Sequence, residues 1–350
     1  MGIAPSTTLR RYSPCTNVFQ VRDALISVSR GRPRAIQLED AEVSALTLDD
    51  FAESTATGEL FIAYVDICRT LGDLVQGCSR KRLTASGRSG AEAALFRWTR
   101  MLPQHLRLAN YSARTQTLEL RAHDLRSRQL HVPYLACIII MSRSGSGSPH
   151  NGISPAAVFA ASYLAGIYED LLARDLVCRL APTFTTFGFM AGLVLISLRP
   201  HPALWTAAQA DLAIIQTALQ ELSSRWRSAI GASKVIQKAL QSEMPDSHLQ
   251  STQLPSLSRN ELPLFEGLPL ELCRMWQAYE NEKTSQSIDI SLEPACARQM
   301  DPMAEVLLGL HGQQPPNLSI GLEFAPDDAF FSAPSFEGIP DYFWGDWGLQ

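Results

Sequence analysis

The chain has few of the features that support catalysis, secretion or metal binding. Its seven cysteines are scattered over 350 residues, and no two stand closer than ten positions apart. This spacing excludes a disulfide framework and the paired ligands of a structural zinc site. No nucleophile elbow, His-Glu-x-x-His helix, phosphate loop or dinucleotide fingerprint occurs. The first residues lack a signal peptide pattern, so secretion is not expected. We predict an intracellular protein with reduced thiols that is not an enzyme and holds no cofactor.

Positive charge is missing from the end of the chain. No Lys or Arg follows Arg298, and from Pro255 onward 15 acidic residues stand against four basic ones, a net charge of −11. The preceding part carries a net charge of +6. Such a contrast indicates a folded body followed by an acidic interaction tail.

Aromatic residues are abundant where positive charge is absent. Residues 323–347 hold six acidic and eight aromatic side chains, interrupted throughout by proline and glycine. Such a segment cannot bury its rings by folding alone. Rings among carboxylates are typical of acidic-hydrophobic activation segments, which fold into an apolar groove of a coactivator. The alternative is an arm whose rings dock on the chain's own body. The predicted partner-binding residues are Phe330, Phe331, Phe336, Tyr342, Phe343, Trp344 and Trp347.

Upstream of the tail, strand-like alternation is lacking and helical spacing dominates. Apolar residues recurring every three to four positions predict helices over about 58–75, 91–102, 117–141, 155–171 and 212–240. Residues 180–198 contain no charged side chain, a pattern that fits a helix buried in a bundle better than a membrane span, since proline and threonine interrupt it. The predicted class is all-α, a large helical regulatory domain followed by a partly disordered acidic tail.

Composition divides the chain into four parts. Residues 1–29 are predicted to be an N-terminal remnant, and residues 30–244 to form the helical domain. Prolines punctuate residues 245–298, which are predicted to be a linker with short helices. Residues 299–350 form the acidic-aromatic tail, the candidate activation segment. Isolated histidines such as His123, His131 and His201 fit surface or satisfied core positions better than ligand sites.

Six short motifs stand in order over residues 30–240. They are Gly31-Arg32-Pro33 with Glu39-Asp40, Asp49-Asp50-Phe51, Trp98 with Leu102-Pro103-Gln104-His105-Leu106, Leu130-His131 with Tyr134, Ser154-Pro155-Ala156-Ala157, and Asp211-Leu212 with Leu222-Ser223 and Trp226. Together they resemble the middle homology, or regulatory, region of fungal zinc binuclear cluster transcription factors. The resemblance implies a single α-helical domain, location in the nucleus and control of RNA polymerase II transcription, often of a biosynthetic gene cluster.

One feature of that family has no counterpart in this sequence. The family's DNA-binding module holds two zinc ions with six cysteines, whereas Cys15 is the only cysteine before Cys68. No residue can therefore be assigned to zinc or DNA, and zinc is expected only with a cluster encoded upstream in a longer gene. Otherwise the implied partners, besides coactivators, are a DNA-binding protein or a second copy of the chain.

Two hypotheses from other classes remain open on the sequence. Leu180–Leu198 could anchor the protein in a membrane, although no membrane association is predicted. Alternatively, the body could bind a small molecule in a pocket lined near Phe184–Phe189, without transcriptional activity.

Overall fold

The computed structural model describes residues 7–36, 46–51, 55–79, 83–112, 117–143, 154–242 and 261–280. Helices dominate these ranges, and the predicted all-α class is confirmed for them. The α-helices are α1 (Thr7–Arg30), α2 (Thr55–Ser79), α3 (Ala85–Met101), α4 (Leu125–Arg143), α5 (Pro155–Leu172), α6 (Thr183–Ile196), α7 (Pro202–Ser223) and α8 (Arg227–Gln241). Shorter 3-10 turns lie at Leu48–Asp50, Gln104–Leu106, Val177–Arg179, Leu262–Phe265 and Leu270–Leu272. Residues 274–280 are also helical.

Helices α5 and α6 form the centre of the bundle. Every residue from 156 to 168 and from 184 to 196 is buried. Helix α5 packs against α4, α6 and α7, and α6 packs against α4, α7 and α8 as well. A helix without charged side chains can be covered on all sides because none of its residues needs water. The prediction of a buried helix within residues 180–198 is confirmed.

None of the helices in the described part of the chain is both long enough and apolar enough to span a bilayer.

Local signals set several helix ends. The Thr84 hydroxyl accepts a hydrogen bond from the Gly87 amide at 3.0 Å and caps α3. Pro155 opens α5 as predicted, although the Ser154 hydroxyl makes no capping bond. The helix predicted to continue weakly to residue 240 is instead two helices, since α7 ends at Ser223 and α8 begins at Arg227.

The prediction of a helix over 117–141 was wrong in its first part. Residues Thr117–Leu120 form strand β2, which pairs antiparallel with β1 (Ala109–Ser112). Helix α4 begins only at Leu125. The residue before it, Asp124, caps the helix because its carboxylate accepts hydrogen bonds from the amide and hydroxyl of Ser127. A strand of four residues shows too little alternation of polar and apolar side chains to be distinguished in the sequence from the helical pattern that follows it.

Packed elements also lie on both sides of the predicted helical domain. The sequence predicted no element in the N-terminal remnant, but α1 lies there and packs against α2 and α6. Its Ala24 and Val28 are buried, and Asn17 accepts a bond from Arg69 of α2 at 2.7 Å. At the other side, the turn Leu270–Leu272 packs against α5.

Candidate functional site

The seven rings predicted to bind a coactivator all lie outside the described residues. So does the rest of the acidic-aromatic tail, residues 299–350. The last described stretch, residues 261–280, precedes the tail in the chain, and we call it the attachment segment. It contains none of the predicted partner-binding residues, but it packs against the helical body. The predicted short helix near residues 270–279 is found here.

The attachment segment lies directly on the backbone of α5. A β-carbon added at Gly166 would stand 2.1 Å from the carbonyl oxygen of Leu272, a distance no real side chain tolerates. Glycine at this position therefore allows two backbones to approach each other closely. Tyr134 of α4 fixes the other end of the segment, since its hydroxyl donates to the Leu264 carbonyl at 2.5 Å.

Apolar burial accompanies these polar contacts. The Phe159 ring of α5 lies 4.8 Å from that of Trp276 and 6.0 Å from that of Phe265. Tyr163 stacks on Phe265 from the next turn of α5. Aromatic pairs at these separations add to the free energy gained by burial. The buried apolar residues of the segment are Leu264, Phe265, Leu268, Leu272, Cys273, Met275 and Tyr279.

A buried carboxylate joins α5, α7 and the attachment segment. Asp211 of α7 is fully buried, and its two oxygens accept from Ser162 at 2.6 Å and from Arg274 at 3.0 Å. Arg274 also pairs with Glu169 of α5. The Ser162 hydroxyl in turn accepts from the Met275 amide at 3.1 Å. We call Ser162, Glu169, Asp211 and Arg274 the Asp211 cluster.

The electrostatics of the Asp211 cluster follow from burial and pairing. Burial raises the pKa of Asp211 to about 6, although the bonds from Ser162 and Arg274 act in the opposite direction. Burial lowers the pKa of Arg274, but bonds to Asp211 and Glu169 outweigh it, and the net shift is upward. At neutral pH both partners are therefore charged. A buried carboxylate is stable only with such a partner.

A second cluster contains the residues of the tryptophan and Leu-His motifs. The Trp98 indole donates to the Ala63 carbonyl at 2.8 Å and stacks on Tyr134, with ring centroids 5.1 Å apart. His131 meets the Trp98 ring edge-on at 5.4 Å, and its Nδ1 lies 2.8 Å from the Ser127 carbonyl. Burial lowers the pKa of His131 to about 4, so this histidine is a neutral core residue, as predicted.

A third cluster fastens α4 to α5 through Asp170. Its carboxylate lies 2.8 Å from Arg128 Nε and 2.7 Å from His123 Nδ1, and Arg174 lies 3.1 Å away. Burial raises the pKa of Asp170, but the bonds from His123 and Arg128 outweigh it and hold the pKa below its usual range. His123 is therefore a bridging residue between helices.

The sequence predicted the roles of the residues in the Asp211 cluster only in part. Asp211 belongs to a quoted motif, but its role was missed, as were Ser162, Glu169 and Arg274. A signal was present, because Asp211 falls among Ala208, Leu212 and Ile215 on the apolar face of α7. A carboxylate on such a face requires a buried partner. Arg274, 63 positions away, could not be identified from local spacing.

The described residues offer no clear place for a metal ion. Within residues 7–280, outside the gaps stated above, no group of three or more His, Cys, Asp or Glu residues is placed to hold one.

The fold and the three clusters define a helical body whose polar residues fasten the helices and the attachment segment to one another. Comparison with curated proteins identifies particular relatives. The chain is 30% identical over 226 residues, 59% of its length, to the acetamidase regulatory protein of Aspergillus fumigatus. It is 29% identical over 226 residues, again 59% of its length, to the protein of that name from Emericella nidulans. Over 283 residues, 69% of its length, it is 25% identical to cutinase transcription factor 1 alpha of Fusarium vanettenii.

These matches cover only part of the relatives. The chain spans 27% and 26% of the two acetamidase regulatory proteins and 30% of the cutinase factor. No family model matches the chain, and no solved structure matches it. The chain is therefore similar to a segment of named fungal transcription regulators.

Proposed function

We propose that the chain is a regulator of RNA polymerase II transcription that acts in the nucleus of a fungal cell. The observation that carries this proposal is the similarity of 25–30% to an acetamidase regulatory protein and a cutinase transcription factor over more than half of the chain. The order of the six motifs and the all-helical body support it. Control of a biosynthetic gene cluster is the finer expectation that the family resemblance adds.

The mechanism we propose separates the body from the tail. The body holds the attachment segment in a fixed place through Gly166 and the Asp211 cluster. The tail that follows recruits a coactivator when its aromatic rings fold into an apolar groove of that partner. Carboxylates between the rings keep the free tail soluble and complement a basic rim on the partner.

The proposed regulator must be brought to promoter DNA, but no residue of this sequence is assigned to DNA binding. Zinc would be bound by a six-cysteine cluster encoded upstream of this sequence. Without such a cluster, the chain would reach promoters through a DNA-binding partner or as a dimer. Sequencing the transcript upstream of the Met1 codon distinguishes these routes.

The tail can be tested separately from the body. Residues 299–350 fused to a heterologous DNA-binding domain should activate a reporter gene. Replacing all seven predicted rings by alanine should abolish most of the signal, because these rings supply most of the aromatic surface that the tail can bury on a partner. A matched variant with Gln313, Gln314 and Asn317 replaced by alanine should stay active. A silent fusion at normal protein level would refute the activation role.

A further inference from the structure

A cavity opens on the body between α2, α4 and the start of α6. Its volume is about 440 Å³, within the range of about 300–1,000 Å³ that is usual for small-molecule sites. Leu60 and Phe61 of α2, Leu130 of α4 and Phe184 of α6 form its apolar walls. Phe184 belongs to the region that the sequence indicated as a pocket lining, whereas Phe187 and Phe189 of the same region do not line the cavity.

Two arginines line the same cavity. Arg126 lies in the first turn of α4, and Arg179 lies in the 3-10 turn before α6; both are exposed. Among the described residues, no acidic side chain lines the cavity, and no carboxylate lies within 4 Å of either guanidinium. Asp124 is near enough to Arg126 for that charge to help lower the pKa of Asp124, and its carboxylate accepts hydrogen bonds from Ser127 and from the backbone amide of Arg126.

This combination selects the chemistry of a ligand. Apolar walls take up a hydrocarbon or aromatic body, and two arginines that form no ion pair with a described carboxylate attract an anion at the mouth. A guanidinium binds a carboxylate through two parallel hydrogen bonds, a geometry that lysine does not offer. A neutral apolar molecule would pack against the walls but would offer no anionic group to either guanidinium.

We propose that the cavity binds a small amphipathic carboxylic acid. Its apolar body packs between Phe61, Leu130 and Phe184, and its carboxylate pairs with Arg126 and Arg179. The proposal goes beyond the transcriptional role, because it concerns binding by the body and is tested without DNA or a reporter. A negative binding result would therefore refute this proposal without affecting the proposed activity of the tail.

The test measures binding of decanoate to the full chain by isothermal titration, with decanol as the neutral molecule of equal chain length. Decanoate should bind at least about tenfold more tightly than decanol, since each charge-assisted hydrogen bond adds to affinity. The double variant Arg126→Ala/Arg179→Ala should weaken decanoate binding by about tenfold or more and leave decanol unchanged.

Matched variants separate the cavity from general charge effects. Arg22→Ala/Arg100→Ala removes two exposed arginines that do not line the cavity, and it should bind decanoate as the unaltered chain does. Ala181→Trp places a large ring at an exposed lining position and should block decanoate and decanol alike. The melting temperature of each variant without ligand shows that it is folded.

Several outcomes would overturn the proposal. These are no binding of decanoate at millimolar concentration, equal affinity for decanoate and decanol, or unchanged binding by the Arg126→Ala/Arg179→Ala variant. A fourth is binding of decanoate only when the seven tail rings are replaced by alanine, which would identify the tail as the occupant of the cavity.

Discussion

At the scale of the residue, Trp98 joins three helices. It lies on α3, donates a hydrogen bond to the Ala63 carbonyl on α2 and stacks on Tyr134 of α4. Tyr134 then bonds to the attachment segment through Leu264. The tryptophan of the family-like motif is therefore a packing residue that connects the body to the segment before the tail.

Replacing Trp98 by phenylalanine tests this role. The variant keeps a ring but loses the indole N–H that donates to the Ala63 carbonyl and part of the buried stack on Tyr134, so the free energy of unfolding should fall by about 1–3 kcal/mol. Trp205→Phe, at a half-buried tryptophan of α7, is the matched control and should cost less than about 1 kcal/mol. Urea unfolding measures both, and equal losses would contradict the assignment.

Asp211 gives a prediction for pH dependence. Its folded-state pKa of about 6 lies above the ordinary value of 3.8, so the folded chain binds this proton more tightly than the unfolded chain does. The stability from this group is fully present below pH 3.8 and is lost as pH rises through about 6. The expected loss between these values is about 1.4 kcal/mol per pH unit.

The Asp211→Asn variant isolates this contribution, because an amide does not titrate in this range. Urea unfolding at pH 4.5, 6 and 7.5 should show the unaltered chain losing stability relative to the variant as pH rises. A constant difference between the two across these pH values would show that Asp211 does not have a raised pKa.

At the scale of the element, the attachment segment depends on the small size of one residue of α5. Alanine at position 166 would place a β-carbon 2.1 Å from the Leu272 carbonyl oxygen. Since neither backbone can move without losing other contacts, Gly166→Ala should displace the segment. Hydrogen exchange of the amides of residues 270–280 should then increase, which mass spectrometry measures.

Gly188→Ala is the matched control for this experiment. Gly188 lies in the interior of buried α6, and a β-carbon there would meet its nearest atom, the Tyr168 hydroxyl, at an ordinary 3.5 Å. The substitution should be neutral or stabilise by up to about 1 kcal/mol, since alanine favours helix. Unchanged exchange at residues 270–280 in Gly166→Ala would refute the close backbone contact.

The elements also show how far sequence reasoning reaches. The spacing of Leu60, Tyr64, Cys68 and Leu71 identified α2, and the absence of charge identified the buried helix α6, because burial leaves a local pattern. Helix α1 was missed, since its sequence has no clear apolar stripe, and the β1–β2 pair was missed because each strand has four residues. A buried helix face leaves a pattern over many residues, whereas a four-residue strand is too short to leave one.

The candidate site was predictable to a smaller extent. The aromatic tail residues follow from composition and remain a prediction. The Asp211 cluster combines residues from α5, α7 and the attachment segment, and Gly166 acquires its importance from a carbonyl 106 positions away. Such contacts are determined by packing of the whole chain and leave no periodic signal in the sequence.

At the scale of the whole molecule, the two parts of the chain before and after Pro255 differ in net charge and in the elements that they contain. The part before Pro255 carries a net charge of +6 and contains α1 to α8, whereas the part from Pro255 onward carries −11 and ends in the aromatic tail. We infer that the body holds the tail in place and that the tail contacts the transcription machinery. This division is the central claim of the proposed function.

Reporter activity of the full chain, residues 1–350, fused to a heterologous DNA-binding domain tests that claim most directly. We expect clear activation by the unaltered chain and background activity when Phe330, Phe331 and the five other predicted rings are alanine, at equal protein level. Equal reporter output from the two fusions would refute the role of the tail, because its aromatic rings would then contribute nothing to transcription.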